Sequence, residues 1–123
     1  RQHRSLTQDK MSELKEIIEA IIKFRDDRDW EQFHDSKNLA IALSIEASEL
    51  NELYLWKNRS NDIANISKER FSEELADIFI YAFLLAEKND LDVKEIIMNK
   101  IKQNANKYPI SKAKGTSKKY TEL

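Results

Sequence analysis

The stretch Leu43-Ser44-Ile45-Glu46-Ala47-Ser48-Glu49-Leu50 decides how this chain folds. It reads as helix, and its apolar stripe runs Leu39, Leu43, Glu46, Leu50 and Leu53, in alternating steps of four and three. That is the spacing of a seam turned toward a core, yet a carboxylate occupies its middle position. Glu49 follows one turn along on the same side. A second stretch repeats the anomaly. In Phe71-Ser72-Glu73-Glu74-Leu75-Ala76-Asp77-Ile78, Glu74 and Asp77 sit among Phe71, Leu75, Ile78, Ala82 and Leu85. Two helices each direct an i, i+3 pair of carboxylates toward what should be core.

If the four groups converge, something must neutralise them. Two like charges about 4 Å apart repel by roughly 4 kcal/mol at an effective dielectric near 20. Several such pairs rival the whole stability of a small domain, about 5–15 kcal/mol. Protons held by raised pKa values could do it, and so could a divalent metal. The nearest basic residues are Lys68 and Arg70, just ahead of the second pair, and neither quartet holds His or Cys. An oxygen-only donor set suits Mg²⁺, Mn²⁺ or Ca²⁺. A di-iron bundle site carries Glu-x-x-His on two of its helices; here the second positions are Glu49 and Asp77, which argues against iron. With Asp and Glu at 22 of 123 residues, an acidic pair also arises by chance on a solvated face. Placement on the apolar stripe, twice, is what favours a site.

One Gly and one Pro leave little material for tight turns, and with the Glu, Lys, Leu, Ile and Ala content they indicate an all-α protein. The 123 residues suffice for one domain but not comfortably for two, and 41% hydrophobic residues can build a core. Net charge is −1, so there is no bulk basic field to bind nucleic acid. The lack of Cys excludes disulfides and thiol chemistry, and a cytoplasmic location without a signal peptide is expected. The longest apolar run, 78–86, is nine residues, far short of the roughly 20 that span a bilayer.

Residues 1–10 are polar and aperiodic. Met11 reads as the natural start and the stretch before it as a disordered or cloning-derived leader, so His3 is assigned no role. A first helix is predicted over 12–28, with Leu14, Ile17, Ile18, Ile21, Ile22 and Phe24 on its apolar face. The connection that follows holds Trp30, Glu31, Gln32, Phe33 and His34, whose aromatics either pack over the end of a bundle or serve a ligand. Asp35 or Ser36 caps a second helix, predicted over 37–57. It carries Glu46 and Glu49, then Glu52 as an outlying acidic group, and ends on Leu55-Trp56-Lys57. Residues 58–66 are rich in turn formers and read as a loop.

A third helix over 67–88 holds Glu73, Glu74 and Asp77, and its second half is apolar on every side. Such a helix must be buried all round. A chain this short cannot cover it alone, so a homo-oligomer is expected, with this helix at or near the interface. Asp92 and Glu95 have capping-box spacing for a fourth helix over 93–108. Ile96, Ile97 and Ile101 form its core side, and Lys100, Asn104 and Tyr108 form a polar stripe beside it. Pro109 stops it, and the lysine-rich residues 111–123 make a basic, flexible tail. The domain proper is expected at 11–110.

Glu46-x-x-Glu49 followed by Glu74-x-x-Asp77 resembles the signature of the MazG-like all-α nucleoside-triphosphate pyrophosphohydrolases. The likeness extends to Arg28-Asp29-Trp30-Glu31-Gln32-Phe33-His34, Leu55-Trp56-Lys57, Glu73-Glu74-Leu75-Ala76-Asp77-Ile78-x-Ile80-Tyr81, Lys107-Tyr108-Pro109 and Lys119-Tyr120-Thr121-Glu122-Leu123, which look like the dCTP pyrophosphatase branch. It covers nearly everything from Met11 onward. The resemblance implies a four-helix bundle that assembles as a dimer or a dimer of dimers. It implies Mg²⁺, or Mn²⁺, held by Glu46, Glu49, Glu74 and Asp77. The reaction implied is hydrolysis of a nucleoside triphosphate, dCTP above all, to the monophosphate and pyrophosphate, a house-cleaning of the nucleotide pool. Trp30, Glu31, Gln32, Phe33 and His34, with Trp56 and Tyr81, would line the pocket for base and sugar. Relatives of this branch can carry a His in helix one that touches the nucleotide; Ile21 stands at that place here.

That chemistry needs three things. The triphosphate's charge must be offset, a task for the metal. A water must be aligned on phosphorus, and Glu49 is the candidate to accept its proton. The leaving pyrophosphate needs cations, for which Lys57, Lys100, Lys107 or the tail lysines are candidates. Trp30 and Trp56 could sandwich a base, and Asn104 offers both donor and acceptor to a base or sugar edge. The alternatives are the same chemistry on dATP, dUTP or a modified nucleotide, or a non-catalytic helical oligomerisation module.

Overall fold

Each of the four long helices begins on a short polar side chain that satisfies a free amide of its first turn. The computed structural model describes residues 12–123; the leader expected at 1–10 lies outside the described residues. Ser12 accepts the Lys15 N–H and opens α1 (Glu13–Asp27), and Asp35 accepts the Asn38 N–H at 2.7 Å and opens α2 (Ser36–Glu52). After a single-turn helix α3 (Ser60–Ala64), Ser67 accepts the Arg70 N–H ahead of α4 (Lys68–Lys88). Asp92 accepts the Glu95 N–H at 2.9 Å and opens α5 (Val93–Lys107), and α6 (Ile110–Ala113) follows Pro109. Short 3₁₀ turns at Glu31–Phe33 and Tyr120–Glu122 complete the elements. The described chain is all-α, as expected.

Two boundaries differ from the sequence reading. The second helix, predicted to reach 57, stops at Glu52. Its ladder tightens there to i→i+3 bonds, from Leu53, Tyr54 and Leu55 to the carbonyls of Leu50, Asn51 and Glu52, and Trp56 turns left-handed at φ 65. Helical propensity persists through Leu55, so composition alone conceals that stop. The loop read at 58–66 contains α3, closed by Ile63 and Asn65 amides on the carbonyls of Arg59 and Asn61. Its Ser, Asn and Asp are turn formers that also tolerate one helical turn.

The described chain divides into two compact units, meeting at Asn89 and Asp90. In the first, α2 lies along α4 over the greatest length, and α1 packs on α4 as well. Asn89 Nδ2 at the end of α4 donates to Ser36 Oγ at the start of α2 (3.0 Å), so α2 and α4 run antiparallel. The α2 stripe is oriented as its spacing requires. Leu39 and Leu53 are buried and Leu43, Glu46 and Leu50 half-buried, while Ile41 and Ile45 remain about half exposed. Leu84 and Ala86 are the buried residues of α4, whereas Phe79 on the same helix is 54% exposed and stacks on Phe83. A fully buried Leu such as Leu39 contributes about 1.5–3 kcal/mol, so the α2–α4 seam is what holds this unit.

In the second unit Val93 is buried. Ile96, Ile97 and Ile101, expected on the core side of the fourth helix, are 40–55% exposed. Gly115 takes φ 81 and turns the tail, whose Tyr120 ring meets Tyr108 edge-on and lies 4.9 Å below the Lys107 ammonium.

The core of the first unit also contains a charge. Arg25 of α1 is 5% exposed; its Nη1 donates to Glu87 Oε1 on α4 at 2.6 Å and its Nε to Asp26 Oδ1 at 2.8 Å. Arg25→Met would remove both bonds but leave Glu87, a third exposed, in reach of water. The expected cost is about 1–3 kcal/mol, read as a lower urea midpoint at unchanged slope.

Candidate active site

The α2–α4 seam half-buries Glu46 and Glu74 but leaves Asp77 exposed, against the core placement its spacing suggested. One oxygen each from Glu46, Glu74 and Asp77 lie within 4.8 Å of one another. Glu49 is exposed and stands outside that tight trio, but it is close enough to raise the pKa of both Glu46 and Glu74. Glu46 Oε2 and Glu74 Oε2 are buried with no hydrogen-bond partner. Buried carboxylate oxygens without donors are costly unless a proton or a cation satisfies them. Burial, first, and then the neighbouring Glu49 push the Glu46 carboxyl up to about 7, with the charges of Asp77 and Glu74 adding to it. Glu74 is raised for the same reasons, burial first and Glu49 next, while the Arg70 charge opposes. Tyr81 is raised by burial and by the Glu46, Asp77 and Glu49 charges.

These residues fit a hard divalent ion. All donors are carboxylate oxygens, and two of them lack partners. Oxygens on opposite sides of an ion with bonds of about 2.1–2.4 Å are separated by roughly 4.2–4.8 Å. The trio's oxygens all lie within 4.8 Å of one another, inside that limit.

Two cavities divide the quartet between them. A cavity of about 440 Å³ has Glu46 and Asp77 on its wall, together with Ile21, Phe24, Trp30 and Tyr81. The Phe24 and Trp30 rings meet edge-to-face at 5.7 Å. His34 also lines it, with a buried, unpartnered Nδ1 and a pKa lowered by burial first and then by the Arg25 charge. A larger cavity of about 640 Å³ has Glu49 and Glu74 on its wall, together with Glu52, Lys57 and Arg70.

The 30–34 turn is pinned by its backbone. Trp30 N–H donates to the Arg25 carbonyl at 3.1 Å, Gln32 Nε2 to the carbonyl of left-handed Asp29 at 2.9 Å, and Asn38 Nδ2 to the Phe33 carbonyl. Within it Trp30 and His34 face the smaller cavity, while Glu31, Gln32 and the 63% exposed Phe33 do not line it. Trp56 is 83% exposed and lines neither cavity. Lys100, Asn104 and Lys107 are exposed on α5 and Tyr108 is half-buried, all in the second unit. Sequence reasoning passed over Arg25 and gave Arg70 no role. Arg25 carries the same signal that revealed Glu46, a charge at i+3 and i+4 from apolar positions, here Ile22 and Ile21.

An acid whose folded pKa exceeds its ordinary value holds extra protons in the folded state, so its contribution to stability falls as pH rises between the two values. For Glu46 that window runs from 4.5 to about 7. His34, with a lowered pKa, works in the opposite sense. The quantity to read is therefore the difference between the parent and Glu46→Gln. Without metal, the parent's melting temperature should lose ground to the variant's across this window, and Mg²⁺ should reverse the loss. A difference independent of pH would contradict the clustering.

Comparison with known proteins agrees with this geometry. The MazG-like family model matches residues 41–123. The dCTP pyrophosphatase 1 of Mus musculus is 37% identical over 114 residues, covering 89% of this chain and 67% of the relative. That of Homo sapiens is 38% identical over 114 residues, with the same coverage. Among solved structures, a pyrophosphatase from Archaeoglobus fulgidus superposes with a TM-score of 0.76 at 30% identity, covering 89% of this chain and 99% of that one. On the acidic seam, the helical fold and these likenesses together, the chain belongs to the MazG-like family.

Proposed function

We infer that this chain is a divalent-metal-dependent nucleoside-triphosphate pyrophosphohydrolase that converts dCTP to dCMP and pyrophosphate. The observation that carries the reading is the trio of carboxylate oxygens within 4.8 Å, two of its residues presenting unpartnered buried oxygens, beside an aromatic cavity. The relatives named dCTP pyrophosphatase support the substrate. Glu46, Glu74 and Asp77, with Glu49 alongside, would hold Mg²⁺ or Mn²⁺. When bound, the ion offsets the charge of the phosphates and acidifies water.

The chain's own residues supply the rest. Glu49, exposed and outside the tight trio, is free to accept the proton of the attacking water. Trp30 and Tyr81 hold the base in a largely apolar wall, where stacking contributes about 1–3 kcal/mol. Neutral His34 offers one ring nitrogen as an acceptor and the other as a donor. Glu31, Gln32, Phe33 and Trp56 are assigned to the substrate on the family resemblance, and Lys100, Asn104, Lys107 and Tyr108 on the chemistry of their side chains; the domain is assigned to 11–110.

The chain assembles as a dimer, or a dimer of dimers, through α4 and its neighbours. Phe79 at 54% exposure, Ile80 at 36% and the α2 residues Ile41 and Ile45 support this, since a lone chain leaves them in water. No helix among the described residues is long and apolar enough to cross a membrane. The cytoplasm is the compartment where a nucleotide-pool enzyme acts.

Purified protein with Mg²⁺ should release pyrophosphate, not orthophosphate, from dCTP in preference to dATP, dUTP or dTTP. Glu46→Gln should lower kcat/KM by at least about 100-fold. Undiminished activity in that variant, or no turnover of any triphosphate by the parent, would overturn the assignment; a different preferred base would overturn only dCTP. Phe79→Glu should shift the sedimentation coefficient toward that of a monomer, and an unchanged oligomer would remove α4 from the interface.

A further inference from the structure

We propose that Arg70, with Lys57, receives the departing pyrophosphate in the larger cavity, making it the subsite for the phosphate end of the substrate. This rests on the pyrophosphohydrolase reading above. The substrate has an apolar end and a strongly anionic end, joined at the phosphorus under attack. The two cavities have the same polarity. The one sharing Glu46 and Asp77 is walled mainly by aromatic and aliphatic side chains, and its one cation, Arg25, is paired with Asp26 and Glu87; the one sharing Glu49 and Glu74 carries Lys57 and Arg70. The carboxylates lie between, where the attacked phosphorus belongs.

Arg70 is available for that task. Lys23 is paired with Asp27, Arg25 with Asp26 and Glu87, and Arg59 with Asp62, while Lys15, Lys37, Lys68 and Lys88 line neither cavity. Among the described residues, neither the Arg70 guanidinium nor the Lys57 ammonium enters an ion pair or a side-chain hydrogen bond. A guanidinium fork matches two phosphate oxygens at once, while an ammonium acts as a point charge. In the reaction, the water oxygen bonds to the α-phosphorus and its proton passes to a carboxylate. The bond from that phosphorus to the bridging oxygen breaks, and both electrons leave with pyrophosphate. The new charge on that oxygen is what Arg70 meets.

The cavity's own charge sets a condition. Glu49, Glu52 and Glu74 outnumber Lys57 and Arg70 by one, so the bare cavity repels an anion. A divalent ion on the carboxylates reverses the sign. Pyrophosphate should therefore bind only with Mg²⁺ present.

Calorimetry on the full chain tests this, titrating pyrophosphate and, separately, dCMP into the parent, Arg70→Ala and Arg70→Lys with Mg²⁺ or EDTA. Pyrophosphate affinity should fall about tenfold in Arg70→Ala and recover partly in Arg70→Lys, since a charge-assisted contact is lost. Affinity for dCMP should stay level, and EDTA should abolish pyrophosphate binding. Unchanged pyrophosphate affinity in Arg70→Ala would overturn the proposal. So would an equal fall for both ligands, which would mark Arg70 as acting through Glu74 and the metal. Hydrolysis of dCTP by the parent is scored separately. Absence of turnover with Arg70-dependent pyrophosphate binding intact would refute the enzymatic reading and leave the anion subsite standing.

Discussion

Like charges held together in a helical seam govern the structure. The α2–α4 contact supplies the largest share of packing in the first unit, and at its middle it places Glu46 against Glu74 and Asp77. The leucines on either side bind the helices at a spacing that the carboxylates resist. The seam is therefore strong where it is oily, at Leu39 and Leu53, and electrostatically loaded between them. Neutralisation of the trio by a proton or a cation would remove a cost the fold already bears.

The cavities extend this logic outward. Because the quartet is split as Glu46 with Asp77 and Glu49 with Glu74, each cavity meets the charge cluster from its own side. One side has few polar groups and two rings in edge contact; the other has free cations. A ligand with an aromatic head and a phosphate tail can satisfy both at once, and a free nucleoside or a free phosphate can satisfy only one. On the proposed reading, selectivity for a triphosphate would follow from the length of the ligand as well as from its groups.

Much of this was legible in the residues. The step pattern of Leu39, Leu43, Glu46, Leu50 and Leu53 gave the buried face of α2 correctly, because a 3.6-residue period leaves few ways to arrange such a stripe. Asp35 and Asp92 marked the starts of α2 and α5 for an equally local reason. The early end of α2 was hidden, since the left-handed turn at Trp56 involves no Gly and no Pro. The exposure of Ile96, Ile97 and Ile101 was hidden too, because periodicity reveals an apolar face but not what covers it. Grouping of the carboxylates was anticipated as four, and the tight group contains three, with Glu49 one step removed. A helical i, i+3 spacing puts two side chains on one side without fixing how far each reaches.

Arg25 has a wider significance than its ion pair. Its side chain is fastened to Glu87 on α4, and its carbonyl takes the amide of Trp30, the ring that walls the aromatic cavity. The same α4 carries Glu74 and Asp77. Base wall and carboxylates are thus referenced to one rigid rod, and a single residue transmits the registration. Sliding of α1 would carry the tryptophan turn with it and change the gauge between that ring and the carboxylates, so α4 works as the ruler for their separation.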